Sequence, residues 1–313
     1  MTNDTLWSGP IVDAHQHFWD PFTNPHPWLR SEARIPFRYG DYSAIKRRYL
    51  PGHYLADAYG HDVRETVYVE TEWDPSSPID ETRYATSIAE RFGLPSAIVA
   101  QAWLDRGDAS SVIAAQAAFP LVRSVRHKPG GPTSLDQVGH LRTLMSDDTW
   151  RRGYALLGCH GLHFDLQTPW WNLHEAVRLA RDFPRTTIVL NHAGLPSDRS
   201  VEGLKGWHAA MADFAEQPNV RVKISGIGQP SRPWTVEGNR WIVEEIIAMF
   251  GPARAMFASN FPVDSLCGTF DDIMGGFKRI ASRYPIEDQR RLFCDTAREV
   301  YRTGAHPRAA AAQ

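Results

Sequence analysis

The 313-residue chain is predicted to fold as a distorted (β/α)8 barrel, an α/β architecture of parallel strands. Three observations predict it. Short β-branched or apolar runs recur eight times along the chain, and stretches with helical apolar spacing separate them. Strand, helix, strand in repetition implies parallel strands joined by crossovers, and eight such strands favour closure over an open sheet. The turn after the first run holds His15-Gln16-His17, where an open doubly wound sheet more often carries a glycine-rich turn.

The predicted strands are, in order, Gly9–His15, Glu65–Thr71, Ala97–Trp103, Leu121–His127, Gly161–Gln167, Thr186–His192, Val220–Gly226 and Ala255–Phe261. Helices are expected over Ile79–Phe92, Ala109–Ala118, Trp171–Asp182, Leu204–Glu216 and Asn239–Phe250, with a last helix over Pro285–Arg302. No internal repeat, low-complexity block or linker interrupts this pattern, so residues 1–313 read as one barrel domain. The alanine-rich end, 307–313, is expected to be a flexible tail.

Composition narrows the function classes. A net charge of −2 gives no basic face for nucleic acid and no acidic tail for a charged partner. The three cysteines, Cys159, Cys267 and Cys294, are far apart and form no CxxC signature, which fits a reducing compartment. No basic flank leads into an apolar signal segment, and no run approaches a membrane span. The expectation is a cytoplasmic protein with a small-molecule partner, no nucleic acid and no membrane, and with a homo-oligomer left open.

The active face of such a barrel lies at the C-terminal ends of its strands. Strand one offers His15 and His17, whose i, i+2 spacing turns both imidazoles to one face. Converging imidazoles suit a divalent metal or a pair of proton carriers. Strand two adds Glu70 and Glu72, strand three Gln101, and strand four Arg126, His127 and Lys128. Strand five ends in Asp165-Leu166-Gln167, strand six in Asn191-His192, strand seven carries Lys223 and Ser225, and strand eight gives Ser259-Asn260 with Asp264 beyond. Trp171 and Arg232 fall in the loops after strands five and seven, where rings pack on ring faces and guanidinium groups pair with carboxylates. Glu72, Gln101, Arg126, His127, Lys128, Gln167, Trp171 and Arg232 are therefore the candidate substrate contacts. His163, inside strand five, is read as a hydrogen-bonded packing residue.

Asp13-Ala-His15-Gln-His17-Phe-Trp, Asn191-His192-Ala-Gly194, Lys223-Ile-Ser-Gly226 and Phe257-Ala-Ser259-Asn260-Phe-Pro262 together resemble the amidohydrolase superfamily. With His26-Pro-Trp-Leu29 and Phe164-Asp-Leu-Gln167, the likeness is closer to its amidohydrolase-2 branch of sugar-acid and pyrone-dicarboxylate lactonases. The resemblance spans essentially the whole chain in the family's strand order. It implies a distorted barrel with a histidine pair on strand one, histidines on strands five and six, and an aspartate on strand eight. His15 and His17 match the pair, and His192 the strand-six position; strand five shows no histidine match. His127 and Lys128 suggest no carboxylated-lysine bridge on strand four, so the resemblance implies one divalent metal (zinc or manganese) on His15, His17 and His192, or none.

Strand eight departs from the family. Its pattern resembles Ser-Asp-Trp-Pro-Val, whereas this chain reads Ser259-Asn260-Phe261-Pro262-Val263. An amide cannot accept the proton of an attacking water at neutral pH. Three readings stand: Asp264 reaches back as the base, a histidine is the base, or the chemistry has changed. Asn260 would then orient a water or a substrate oxygen. The candidate catalytic set is His15, His17, His192, Asn260 and Asp264. The function implied is a hydrolase opening a small sugar-acid or carboxylated ring lactone. The alternatives are a metal-dependent non-oxidative decarboxylase of the same superfamily and a non-catalytic ligand-binding barrel.

Overall fold

A computed structural model describes residues 5–32 and 35–305; the predicted tail, 307–313, lies outside the described residues. Eight strands form one sheet in chain order: β1 Ile11–Gln16, β2 Val63–Val69, β3 Ala97–Gln101, β4 Val122–Arg126, β5 His163–Leu166, β6 Ile188–Leu190, β7 Val220–Ile224 and β8 Ala255–Phe257. All the neighbouring pairs are parallel. The ring closes between its first and last strands just beyond β8, where the Asn260 N–H donates to the His15 carbonyl at 2.8 Å and the His17 N–H to the Phe261 carbonyl at 2.8 Å. The seam of the barrel is thus stitched by the residues that the sequence singles out for chemistry.

Two apolar layers hold this ring. Inside, Val12, Val67, Val99, Val189 and Met256 come from β1, β2, β3, β6 and β8 and meet Ala297 and Tyr301 of the last helix, Thr296–Tyr301. That helix plugs the N-terminal end: His163 Nε2 donates to the Val300 carbonyl at 3.0 Å, and Arg298 Nη2 to Glu65 at 2.7 Å. Outside, residues such as Tyr68, Ile98, Val125, Phe164 and Phe257 pack under the helices. Burying such side chains stabilises the fold by roughly 1.5–3 kcal/mol each.

The predicted boundaries shift for identifiable reasons. β6 and β8 end earlier than expected because His192, Ala193 and Asn260 take left-handed backbone angles, φ near 55°, which no strand continues through. Two helices start earlier than predicted: Val201–Ala215 behind Ser200, which accepts the Gly203 N–H at 3.0 Å, and Val236–Phe250 behind Thr235, which accepts the Gly238 N–H at 3.1 Å. The sequence reading missed the helix Asp148–Cys159, capped by Asp147; its buried Trp150 and Tyr154 are separated by Arg151, Arg152 and Gly153. The tail helix is present but interrupted by a π-helical turn at Arg291–Asp295. Among the described residues no helix is long and apolar enough to cross a membrane.

β1 itself is irregular. Its pairing with β2 slips between Asp13 and Gln16, so β1 carries one extra residue there. Such a bulge re-aims the side chains that follow it. Asp13 faces Tyr54 of the helix Pro51–Asp57 and Gln16 faces Thr66, while Ala14 packs inside the barrel and His15 points toward His192.

Candidate active site

At the C-terminal mouth lies a cavity of about 250 Å³ lined by His17, His192, Asn260, Arg126, Gln167, Lys128 and Glu72, with Arg38, Trp19, Trp28 and Phe37 from the long loop after β1. The strand-end map thus brings together His17, His192, Asn260, Glu72, Arg126, Lys128 and Gln167. His15 is buried beside them, its ring centroid 4.6 Å from His192 and 5.0 Å from His17.

The backbone marks this place. Glu72, His192, Leu195 and Asn260 all line the cavity, and all have φ of 55–56°. Left-handed angles at residues other than glycine cost of order 1–3 kcal/mol each and cluster where function holds them. Gly226 is required by contact as well as by its φ of 60°: a Cβ there would sit 2.6 Å from the His192 ring and 2.9 Å from Arg38.

Burial sets the electrostatics. It pushes the His17 pKa down to about 3, with the Arg126 cation adding to the effect. Burial, then Arg38 and Arg126, holds His192 well below the usual histidine range; for His15 burial comes first and Lys223 second. All three imidazoles are therefore neutral at pH 7. His17 Nδ1 donates to the Val69 carbonyl at 2.8 Å, which leaves its Nε2 with a lone pair. His192 Nδ1 is 3.0 Å from Ser225 Oγ. Neither ring nitrogen of His15 has a hydrogen-bond partner.

The donor chemistry suits a divalent ion: neutral imidazoles, one of them orphaned in the interior. With zinc–nitrogen bonds of about 2.0–2.1 Å, two rings on one ion have centroids roughly 5 Å apart, which both His15 pairs match. Among the described residues, however, no group of three or more His, Cys, Asp or Glu side chains is arranged to hold an ion. The trio expected from the sequence is gathered, with centroids 4.6 and 5.0 Å from His15, but does not converge as a three-ligand set. In this arrangement the site fits an ion with two imidazole ligands.

Asp264 does reach back, into a set of four hydrogen bonds. Its Oδ1 accepts from Asn260 Nδ2, from the Tyr39 hydroxyl at 3.0 Å and from Arg38 Nη2 at 3.5 Å, and its Oδ2 accepts the Gly226 N–H at 3.0 Å. Burial raises its pKa, with Arg38 and these hydrogen bonds opposing. It is fully buried and does not line the cavity. Arg126 pairs with Glu70 and donates to Gln167 Oε1 at 2.9 Å, which fixes that amide at the cavity wall. Lys128 pairs with Glu72.

Other predicted contacts lie apart. Gln101 and His127 line a neighbouring side cavity with Trp73 and Trp103, and Trp171 lines a third cavity, its indole N–H bonded to the Pro132 carbonyl at 2.9 Å. Arg232 is exposed on the β7 loop and lines none of these three cavities, because that loop turns it to solvent. Trp234, on the same loop, is buried edge-on against Phe277, 5.3 Å between centroids. The residues that sequence reasoning missed are Arg38, Tyr39, Trp28 and Phe37. Their loop has neither strand nor helix periodicity; the one available signal was its density of aromatic residues.

Comparison with known proteins agrees with this geometry. The family profile described as amidohydrolase matches residues 12–303. An uncharacterized protein of Sinorhizobium fredii, y4mH, is 39% identical over 93% of this chain and 98% of its own length. An L-fucono-1,5-lactonase of Burkholderia ambifaria is 30% identical over 83% of each chain. Among solved structures, a zinc-bound amidohydrolase of Burkholderia multivorans superposes with a TM-score of 0.76 at 22% identity, over 94% of this chain and 99% of that one. A 2,6-dihydroxybenzoate decarboxylase of Rhizobium does so at 0.61 and 15% identity, over 95% and 99%. With the eight-stranded ring, the histidine pair on β1 and His192 after β6 all in register, the chain belongs to the amidohydrolase superfamily, in its amidohydrolase-2 branch.

Proposed function

We propose that the protein is a lactonase, a hydrolase that opens a small lactone by water attack at the barrel mouth. The observation that carries this reading is the pairing of neutral His17 and His192 with Asn260 around one cavity of about 250 Å³, large enough for a single small ring. The likeness to an L-fucono-1,5-lactonase at 30% identity supports it.

Hydrolysis needs a base for the water and stabilisation of charge on the carbonyl oxygen. His192 is assigned as the base, with Ser225 fixing its ring. Asn260 orients the water or the substrate oxygen: its NH2 is held by Asp264, and its Oδ1 has no other partner. Arg38, which keeps one nitrogen on Asp264 and one without a partner, supplies positive charge beside the reacting carbonyl. Asp264 acts through Asn260, Tyr39 and Arg38 as a positioning residue. Where a zinc or manganese ion binds, His15 and His17 are the two imidazoles that would hold it, which leaves His192 as the base, and the ion would polarise the carbonyl and acidify water.

The test is a panel of sugar-acid and carboxylated ring lactones, assayed with and without chelator. Turnover of a lactone is expected, and a loss on chelation restored by zinc or manganese would assign the ion. Release of CO2 from aromatic acids with no lactone opened, or tight binding with no turnover, would overturn the reading.

A further inference from the structure

Beside the catalytic cavity lies a second one of about 480 Å³, lined by the rings of Trp28, Trp73 and Trp103 and by Gln101 and His127. The two cavities share Trp28, Glu72, Arg126 and Lys128, so the Glu72–Lys128 ion pair stands in their common wall. Trp103 is 37% exposed, so part of a large apolar ring faces the space outside the core.

Two buried polar side chains in this cavity have spare capacity. His127 Nδ1 accepts the Leu104 N–H at 3.1 Å and the Trp150 indole N–H at 3.0 Å, so its proton sits on Nε2. That N–H has no acceptor. The Gln101 NH2 is directed to Glu70 at 3.5 Å and to the Trp73 carbonyl at 3.3 Å, which leaves its carbonyl oxygen without a donor. Both residues are 95% buried, being 5% exposed. An unpaired buried donor and an unpaired buried acceptor on residues lining one cavity are costly unless a ligand meets both. Hydroxyl groups, each donor and acceptor at once, meet both, and flat indole faces take the ring that bears them.

We infer that this side cavity is a second substrate subsite, which seats a hydroxylated ring carried by the lactone while the lactone itself occupies the catalytic cavity. The inference rests on the lactonase reading for what lies next door, but ring binding is measurable without turnover. Phenolic and glycosyl rings share the chemistry required, and the arms of the test separate them.

The experiment compares kcat/KM for a bare aldonolactone, the same lactone bearing a glycosyl ring and the same lactone bearing a phenol. Alongside it, catechol and methyl glucoside are titrated against the full chain by tryptophan fluorescence. One ring-bearing lactone is expected to exceed the bare one by about ten-fold, and Trp103→Ala to erase that advantage through KM while leaving the bare lactone unchanged. The matching ring probe should bind saturably to the native chain and lose that binding in the variant. An equal ratio of ring-bearing to bare lactone in both proteins overturns the subsite. If no lactone is opened, the lactonase reading fails and the titration still decides: saturable binding lost in Trp103→Ala supports the subsite, and no saturable binding overturns it.

Discussion

Two polar clusters share the interior of this barrel, and they are built oppositely. Deeper in, Lys223 Nζ meets Asp165 at 2.6 Å with both side chains fully buried. Asp165 also accepts from Asn191 Nδ2 at 2.9 Å and from the Tyr301 hydroxyl at 3.0 Å, and the ammonium lies 4.8 Å from the Tyr301 ring centroid. Every charge there is met. At the mouth, His15 has no partner on either nitrogen, Asn260 Oδ1 and Arg38 Nη1 have none, and four lining residues sit on left-handed backbone. Native interiors pair nearly all their buried polar atoms, so a local excess of unpaired ones marks where a ligand completes the structure. The deep cluster thus pairs its charges within the chain and leaves Asn191 Oδ1 unpaired, and the mouth is where a ligand would complete the structure.

The largest test splits the two. Lys223→Met leaves Asp165 buried without its cation and should lower stability by about 3–5 kcal/mol, read by urea unfolding, while the Asp165→Leu/Lys223→Met pair recovers most of it. His192→Gln should do the reverse, reducing lactone turnover by about 10³-fold with little change in unfolding midpoint. Exchange of these two outcomes would dissolve the distinction. A smaller effect sharpens the mouth itself. Asp264→Asn keeps the shape of the brace but replaces its charge, and should cost about 10²-fold in kcat. If Asp264 only positions, the acid limb of the pH–rate profile stays where it was; if it is the base, that limb disappears.

The smallest effect concerns pH. Burial pushes His26 down to about 4 and His17 to about 3, against 6.5 for a free histidine. The unfolded chain takes up protons below about pH 6.5 that the folded chain refuses. The contribution of each such histidine is thus complete above that pH and falls on acidification, by up to about 1.4 kcal/mol per pH unit, while Glu81, pushed up to about 7 by burial, opposes it with the contrary sign. Unfolding measured at pH 7, 6 and 5 should show this slope, and His26→Gln should flatten it by about one histidine. A slope left unchanged in His26→Gln would contradict the buried-neutral reading of that histidine.

Much of this was legible before any coordinates. The eight strands follow from β-branched runs, and the barrel's rule of C-terminal chemistry placed His17, His192, Asn260, Arg126, Lys128, Glu72 and Gln167 at one mouth. Gln101 and His127 were read as contacts, but not as belonging to a separate cavity; strand ends name a face and not its partitions. Arg232 shows the limit of that logic, since a loop position fixes neither exposure nor direction.

Sequence by itself determined the ring of strands, the face that carries chemistry and the imidazoles on it, because period-two alternation and strand–helix repetition are local properties of the chain. Only the tertiary structure decided how those groups are held. The bulge in β1 that aims His15, the aromatic loop that brings in Arg38, and the hold of Tyr39 on Asp264 across 225 residues of chain all depend on long-range contacts. So do the neutral histidines, because desolvation belongs to the packed interior and not to any residue's neighbours in sequence.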